Sequence, residues 1–392
     1  MKIKHLLLMM CVAMVLVVTA CGDGGGTAAT NNEETTTAPG AGDAGLARPM
    51  PGDISDELTE VNVALIAHSP DSILDDQSFN QGAWDGITRF GAAHGLVEGD
   101  TMRFFQPHSA DDSARLDLIE EAINTGANVL VLPGFHFQSS LYEAQDLFPE
   151  TTFILLDASP QSPDGAVRIE ANVAAIHYAE EEAGFLAGYA AVMEGYRNLG
   201  FMGGIAVPAV VRFGHGFIQG ADFAAYSLGL EEGEVNIEFM YLGAFAPNPD
   251  FRTTALSWYD LMGVEVIFVA AGGAGSMIMD AAEEAGTSVI GVDVDQSTLS
   301  DTIITSAVKG LDVSVYDMLT DVLNNRFNGG QELRFNAAIN GVGLPMHNSR
   351  FTTFTQAQYD EIFNRLASGE VTVIESLDMS DISTNLVTVN EH

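Results

Sequence analysis

Lysine is almost absent from this chain: among 392 residues it stands only at Lys2, Lys4 and Lys309. Cysteine occurs twice, at Cys11 and Cys21. The sequence beyond Cys21 can therefore form no disulfide, no thiolate metal site and no cysteine nucleophile. Positive charge is scarce overall, with 15 Lys and Arg against 54 Asp and Glu and a formal net charge of −39. Such a surface repels nucleic-acid phosphates and anionic lipid headgroups, which argues against both as partners. No Gly-x-x-x-x-Gly-Lys-Ser/Thr loop and no His-Glu-x-x-His occurs. Gly272-Gly273-Ala274-Gly275 falls short of the dinucleotide fingerprint, because Ile278 stands where the last glycine belongs. The nine histidines lack ligand spacing. No metal or other cofactor is expected, and nothing in the sequence points to catalysis.

What is present begins with an export pattern. Lys2, Lys4 and His5 form a basic start, and 6–18 is an apolar run of 13 residues. That run is short for a membrane span, which needs roughly 20 residues, and it fits a signal peptide. Val18-Thr19-Ala20-Cys21 resembles a bacterial lipobox. This implies removal of 1–20 and a lipid on Cys21 that holds the protein at the extracytoplasmic face of the cell membrane. The alternative is an ordinary signal cut elsewhere, leaving Cys21 as a free thiol. Residues 21–58 are rich in Gly, Thr, Ala, Asn and acid without hydrophobic periodicity, and read as a disordered tether. A tether of this kind spans roughly 30 Å.

From Val61 onward, β-rich runs alternate with helical stretches. Strands are expected near 61–67, 102–106, 129–132 and 153–157, with helices near 78–94, 111–124 and 138–147. A long helix near 174–193 leads to strands near 199–202, 237–242, 266–270 and 289–292, separated by helices near 210–228, 250–262 and 276–285. Residues 303–325 supply one more strand–helix unit, and a β-rich tail follows with a helix near 356–367. This alternation predicts an α/β fold with two doubly wound parallel-sheet lobes joined by a hinge. The expected division is 59–172 plus 303–330 for the first lobe and 173–302 plus 331–392 for the second. A core of that size needs no staple.

Two places carry chemistry. Lys309 closes the apolar run Ile303-Ile304-Thr305-Ser306-Ala307-Val308 and precedes a helical stretch, a junction where ligand groups collect in α/β proteins. Asp75-Asp76-Gln77-Ser78-Phe79-Asn80-Gln81-Gly82 lies between the first strand and first helix. Asp75, Asp76 and Ser78 can serve as helix caps. Phe79 has no such role, and an aromatic at a cleft rim stacks on planar rings while Asn80 offers donors and acceptors.

That segment resembles the start of the BMP family of substrate-binding lipoproteins, also called basic membrane proteins. The similarity continues through Gly203-Gly204-Ile205-Ala206-Val207-Pro208 with Phe213, Gly216 and Phe217, then Gly243-Ala244-Phe245. It extends to Ala270-Ala271-Gly272-Gly273-Ala274-Gly275, Gly291-Val292-Asp293-Val294-Asp295-Gln296 and Thr305-Ser306-Ala307-Val308-Lys309, in the family's order over about 61–327. The resemblance implies a type I periplasmic binding protein of the ribose-binding kind. Such a receptor is a monomer that delivers its ligand, a purine nucleoside in the best-understood branch, to the permease subunits of an ABC importer. It places the base on Phe79 with Asn80 nearby, an opposing aromatic at Phe245 or, second, Phe213, and the sugar near Gly272, Asp293 and Lys309. The same resemblance implies that Asp157, ending a strand, bonds the base edge. A carboxylate accepts two hydroxyl hydrogens from a ribose diol and an ammonium donates to its oxygens. The chain departs from the family where a Thr-Asp pair usually follows the first strand: here the stretch is His68-Ser69-Pro70-Asp71-Ser72-Ile73-Leu74, with Asp71 the candidate replacement carboxylate. Gln77 stands where lysine is common. A receptor for a sugar or other small polar ligand, and a sensory lipoprotein of the same fold, are the alternatives.

Overall fold

The computed structural model describes residues 60–392, so the expected signal peptide, Cys21 and the tether lie outside the described part. The first series of elements runs β1 Val63–Ile66, α1 Phe79–His94, β2 Met102–Phe105, α2 Asp112–Asn124, β3 Val129–Pro133, α3 Gln138–Leu147, β4 Thr152–Leu156 and β5 Val173–Tyr178. The second runs α4 Glu180–Glu194, β6 Asn198–Gly203, α5 Pro208–Leu228, β7 Val235–Tyr241, α6 Pro249–Met262, β8 Val266–Ala270, α7 Gly275–Ala285, β9 Ser288–Asp293 and β10 Ile303–Lys309. The chain ends with α8 Leu311–Leu323, β11 Gln331–Phe335, β12 Val342–Gly343, α9 Gln356–Ala367 and β13 Val387–Glu391.

These strands make two sheets, ordered β11-β5-β4-β3-β1-β2 and β12-β10-β9-β8-β6-β7-β13. All neighbours are parallel except β12, which runs antiparallel to β10. Within each sheet the first five strands take the spatial order 2-1-3-4-5, so both lobes follow one doubly wound plan. Parallel strands are covered by helices on both faces, which is why they read as unbroken apolar runs. Along β1, Val63 and Leu65 enter one core while Ala64 and Ile66 enter another, as the two-residue side-chain period requires. β8 divides likewise, Val266 and Phe268 to one side and Ile267 and Val269 to the other.

The lobe boundaries differ from those expected. β10, assigned to the first lobe, pairs with β9 in the second sheet, and β11, assigned to the second, pairs with β5 in the first. β5 itself belongs to the first sheet, although the sequence reads as part of a helix from 174. Its Val173-Ala174-Ala175-Ile176 run is helix-compatible by composition, and only the β4 and β11 ladders on its two sides make it a strand. The helix begins at Glu180 instead. The chain thus crosses between lobes at β5–α4, at β10–α8, where α8 packs back on α1, and at β11–β12.

Helices α4 and α5 pack with their backbones nearly touching. Gly184 and Gly188 on α4 face Gly216 and Gly220 on α5, and a Cβ on any of them would strike a backbone carbonyl of the opposite helix: Phe213, Phe217, Glu181 and Phe185 respectively. Carboxylates on the same helices bind the tail. Asp222 accepts from the amides of Asn385, Leu386 and Val387, and Glu194 from those of Thr352, Thr353 and Phe354. Among the described residues no helix is long and apolar enough to cross a membrane.

Candidate functional site

The C-terminal ends of the strands of both sheets meet at one place. Asp76 fixes the start of α1 by accepting from the amides of Ser78 (2.9 Å), Asn80 (3.0 Å) and Gln81 (3.0 Å). Ser78 is therefore free of capping, and its hydroxyl donates to Asp293 Oδ2 across the lobes at 2.7 Å. Gln296 adds a second crossing, its amide donating to the Gln77 carbonyl at 2.8 Å.

Asp157 follows the fourth strand of the first sheet and Asp293 ends the fourth strand of the second. Both have left-handed backbones, with φ of 58° and 68°. This conformation costs most non-glycine residues about 1 kcal/mol or more, and asparagine and aspartate are among those that tolerate it best. The same turn at equivalent positions brings both carboxylates to one cation. Lys309 Nζ, at the end of the fifth strand of the second sheet, lies 2.5 Å from Asp157, 3.4 Å from Asp293 and 3.5 Å from Glu180. Glu180 in turn accepts from Arg212 Nε at 2.7 Å. Around the ammonium stand the rings of Phe79 (4.9 Å), Phe213 (5.2 Å) and Tyr178 (5.7 Å), within cation–π range.

Burial would depress the Lys309 ammonium, but Asp157, Asp293 and Glu180 more than offset it and hold its pKa above the ordinary lysine range. Burial pushes the Asp157 carboxyl up to about 7 against the pull of Lys309, with Glu180 adding to the rise. For Glu180 burial acts upward too, yet Lys309 and Arg212 outweigh it and lower the pKa. The site is thus a desolvated cluster of two cations and three carboxylates, with aromatic walls. It can donate to and accept from hydroxyl groups and grip a flat ring.

The network continues into the lobe crossings. Arg334 on β11 pairs with Glu181 and, at 2.6 Å, with Glu375, which Arg212 also approaches at 3.9 Å. Glu182 accepts from the Ala337 amide at 2.7 Å. Burial raises Glu181 to about 7, above its ordinary 4.5, against the pull of Arg334. A carboxyl whose folded pKa is raised contributes stability that is complete below pH 4.5 and lost as pH climbs through about 7. Glu181→Gln is therefore expected to make the fall in unfolding free energy between pH 4.5 and 7.5 shallower, as read from urea denaturation curves. Parallel pH profiles for the two proteins would refute the assignment.

Of the residues singled out in the sequence, the structure brings Phe79, Asp157, Phe213, Asp293 and Lys309 around one point and buries Asn80 beside them. Phe245 and Gly272 lie together in the second lobe. The Phe245 ring sits over Gly204 and Gly272, leaving no room for a side chain at Gly204, and its carbonyl accepts from the Ala274 amide at 2.7 Å. Asp71 is exposed in the turn after β1, and among the described residues no hydrogen bond or ion pair joins it to the cluster. Sequence reasoning missed Glu180, Arg212 and Tyr178. Their signal was three consecutive glutamates opening the otherwise apolar 183–192 stretch, and one arginine within the apolar 208–218.

The family model described as "ABC transporter substrate-binding protein PnrA-like" (Bmp) matches residues 61–376. The chain belongs to the Bmp family. Its members are substrate-binding proteins of ABC transporters. Curated Bmp relatives include the "ABC transporter nucleoside-binding protein BmpA" of Lactococcus lactis, 26% identical over 74% of this chain and 83% of that protein. Another is "Basic membrane protein A1" of Borrelia garinii, 28% identical over 82% and 90% of the two chains. In fold the chain resembles an ABC transporter solute-binding protein from Aeropyrum pernix (TM-score 0.67, 22% identity, covering 82% of this chain and 95% of that one). One from Conexibacter woesei is also similar (TM-score 0.64, 21% identity, 81% and 99%). This Bmp protein is thus a substrate-binding protein of an ABC transporter, with two α/β lobes.

Proposed function

We propose that this Bmp protein binds a purine nucleoside between its lobes and presents it to the permease subunits of an importer. The observation that carries the reading is the meeting of Phe79, Asp293 and Lys309 at one point between the sheets. The base stacks on Phe79 with Asn80 and Asp157 at its edge, and Phe213 or Phe245 forms the opposing wall. Asp293 takes the ribose diol and Lys309 its oxygens, while Gly272 lets the backbone come close. The name of the Lactococcus lactis relative supports the same ligand class. Contacts from both lobes favour the closed state, which membrane subunits distinguish from the open one. The basic start, apolar run and Val18-Thr19-Ala20-Cys21 support anchoring by a lipid on Cys21 at the extracytoplasmic face.

Titration calorimetry with adenosine, guanosine and inosine, on protein refolded free of co-purified ligand, tests this reading. Saturable heat at one site per chain is expected with at least one of the three. Phe79→Ala should weaken that binding by about 1–3 kcal/mol, the scale of a base–aromatic stack. Heat from none of the three, with binding of a free sugar instead, would transfer the site to another ligand class.

A further inference from the structure

One cluster at the same rim takes no part in the site described so far. His68 follows β1 and His136 lies in the single helical turn Phe135–Phe137 after β3, the strand between β1 and β4. The rim of the first sheet thus runs His68, His136, Asp157. The two imidazoles stack face to face, centroids 4.3 Å apart and planes inclined by 9°, and the Phe135 ring lies 4.0 Å from His136.

The stack is held from behind. Ser72 Oγ lies 3.0 Å from His68 Nδ1 and 2.9 Å from Ser69 Oγ. Buried Arg115 donates to the His68 carbonyl at 2.9 Å, and Gln106 donates to the carbonyls of Pro70 (2.6 Å) and Ser72 (2.7 Å). This is the segment in which the sequence departs from its family. Burial and Arg115 lower both pKa values to about 4, with His136 adding to the fall at His68, and so keep the pair uncharged. His136 is half-buried, and among the described residues neither of its ring nitrogens has a hydrogen-bond partner. A neutral imidazole offers one donor and one acceptor in a fixed plane. At a sheet rim that also carries Asp157, it adds hydrogen-bonding capacity without further charge.

We infer that His136, oriented by its stack on His68, is a specificity residue that hydrogen-bonds the substituted edge of the ligand's heterocycle. His136 works beside Asp157, the next residue along the rim. The inference rests on the nucleoside reading and names the ligand feature read: a ring substituent able to donate or accept, such as the 6-oxo or 6-amino group of a purine.

The test compares inosine and adenosine with purine riboside, which lacks the 6-substituent, on wild type, His136→Ala and His136→Gln. His136→Ala should weaken binding of the best 6-substituted nucleoside about 5- to 10-fold, the scale of one neutral hydrogen bond, and leave purine riboside unchanged. His136→Gln, whose amide also donates and accepts, should recover part of the loss. A loss equal for all ligands would reduce His136 to a structural residue, and no loss for any would remove it from the site. If wild type binds none of the three, the nucleoside reading itself fails and takes this assignment with it. Thermal midpoints of the variants identify any that fail to fold. His68→Ala, which removes the supporting ring, should reproduce the selective loss in smaller measure.

Discussion

Lys309→Ala is expected to lower the unfolding free energy by about 3–5 kcal/mol, the cost of stranding buried charge. Lys309 is 6% exposed, and its ammonium is shared by Asp157, Asp293 and Glu180. Its removal leaves three desolvated carboxylates with Arg212 as their remaining cation, and Arg212 contacts only Glu180 of the three. Ligand affinity should fall as well, by about 1.5–3 kcal/mol for a lost charged hydrogen bond. The two effects separate experimentally: urea denaturation without ligand gives the first, and calorimetry at a temperature where the variant stays folded gives the second. Adding Asp157→Asn to Lys309→Ala should restore part of the stability, because it removes one of the stranded charges. A Lys309→Ala protein within about 1 kcal/mol of wild type would show that the cluster is not what holds the crossings together.

The second large effect is expected at Gly220. Gly220→Val places branched carbons where the Phe185 carbonyl of α4 already sits, and the atoms they meet are all backbone that cannot rotate away. The helices must separate, which opens gaps beside Phe185 and Ala221 along the most extensive helix pair among the described residues. Overpacking of this kind costs about 3 kcal/mol or more where no side chain can yield. Gly229→Ala is the control. That glycine has open space around it and pays only for its left-handed backbone, so its thermal midpoint should fall much less. Equal shifts for the two variants would mean that the close approach of α4 and α5 contributes little.

Much of the fold was legible because parallel strands buried on both faces leave apolar runs that composition alone exposes. The strands at 129–133 and 266–270 are examples. The segment 173–178 was not legible, since Val-Ala-Ala-Ile-His-Tyr runs straight into the Glu- and Ala-rich 179–192 and reads as the start of that helix. The decision is made by ladders to β4 and to residues 331–335, about two fifths of the chain away. The same holds for the site. Phe79, Asp293 and Lys309 advertise themselves through local context, as an aromatic at a helix start and polar residues at strand ends. Glu180 and Arg212 carry no such mark, because their meaning lies in each other and in Lys309. The left-handed turns at Asp157 and Asp293 are also invisible in sequence, where each is one more aspartate after a strand.

The three crossings bear on how the protein is made. The outer strand of the first sheet, β11, and the helix that covers α1, α8, come from residues 311–335, after almost all of the second sheet has emerged. During synthesis from the N-terminus, the earliest-made half therefore waits, with one sheet margin and one helix flank bare, until its late-arriving pieces are delivered. Neither half can be expressed as a continuous fragment without leaving part of its own interior behind.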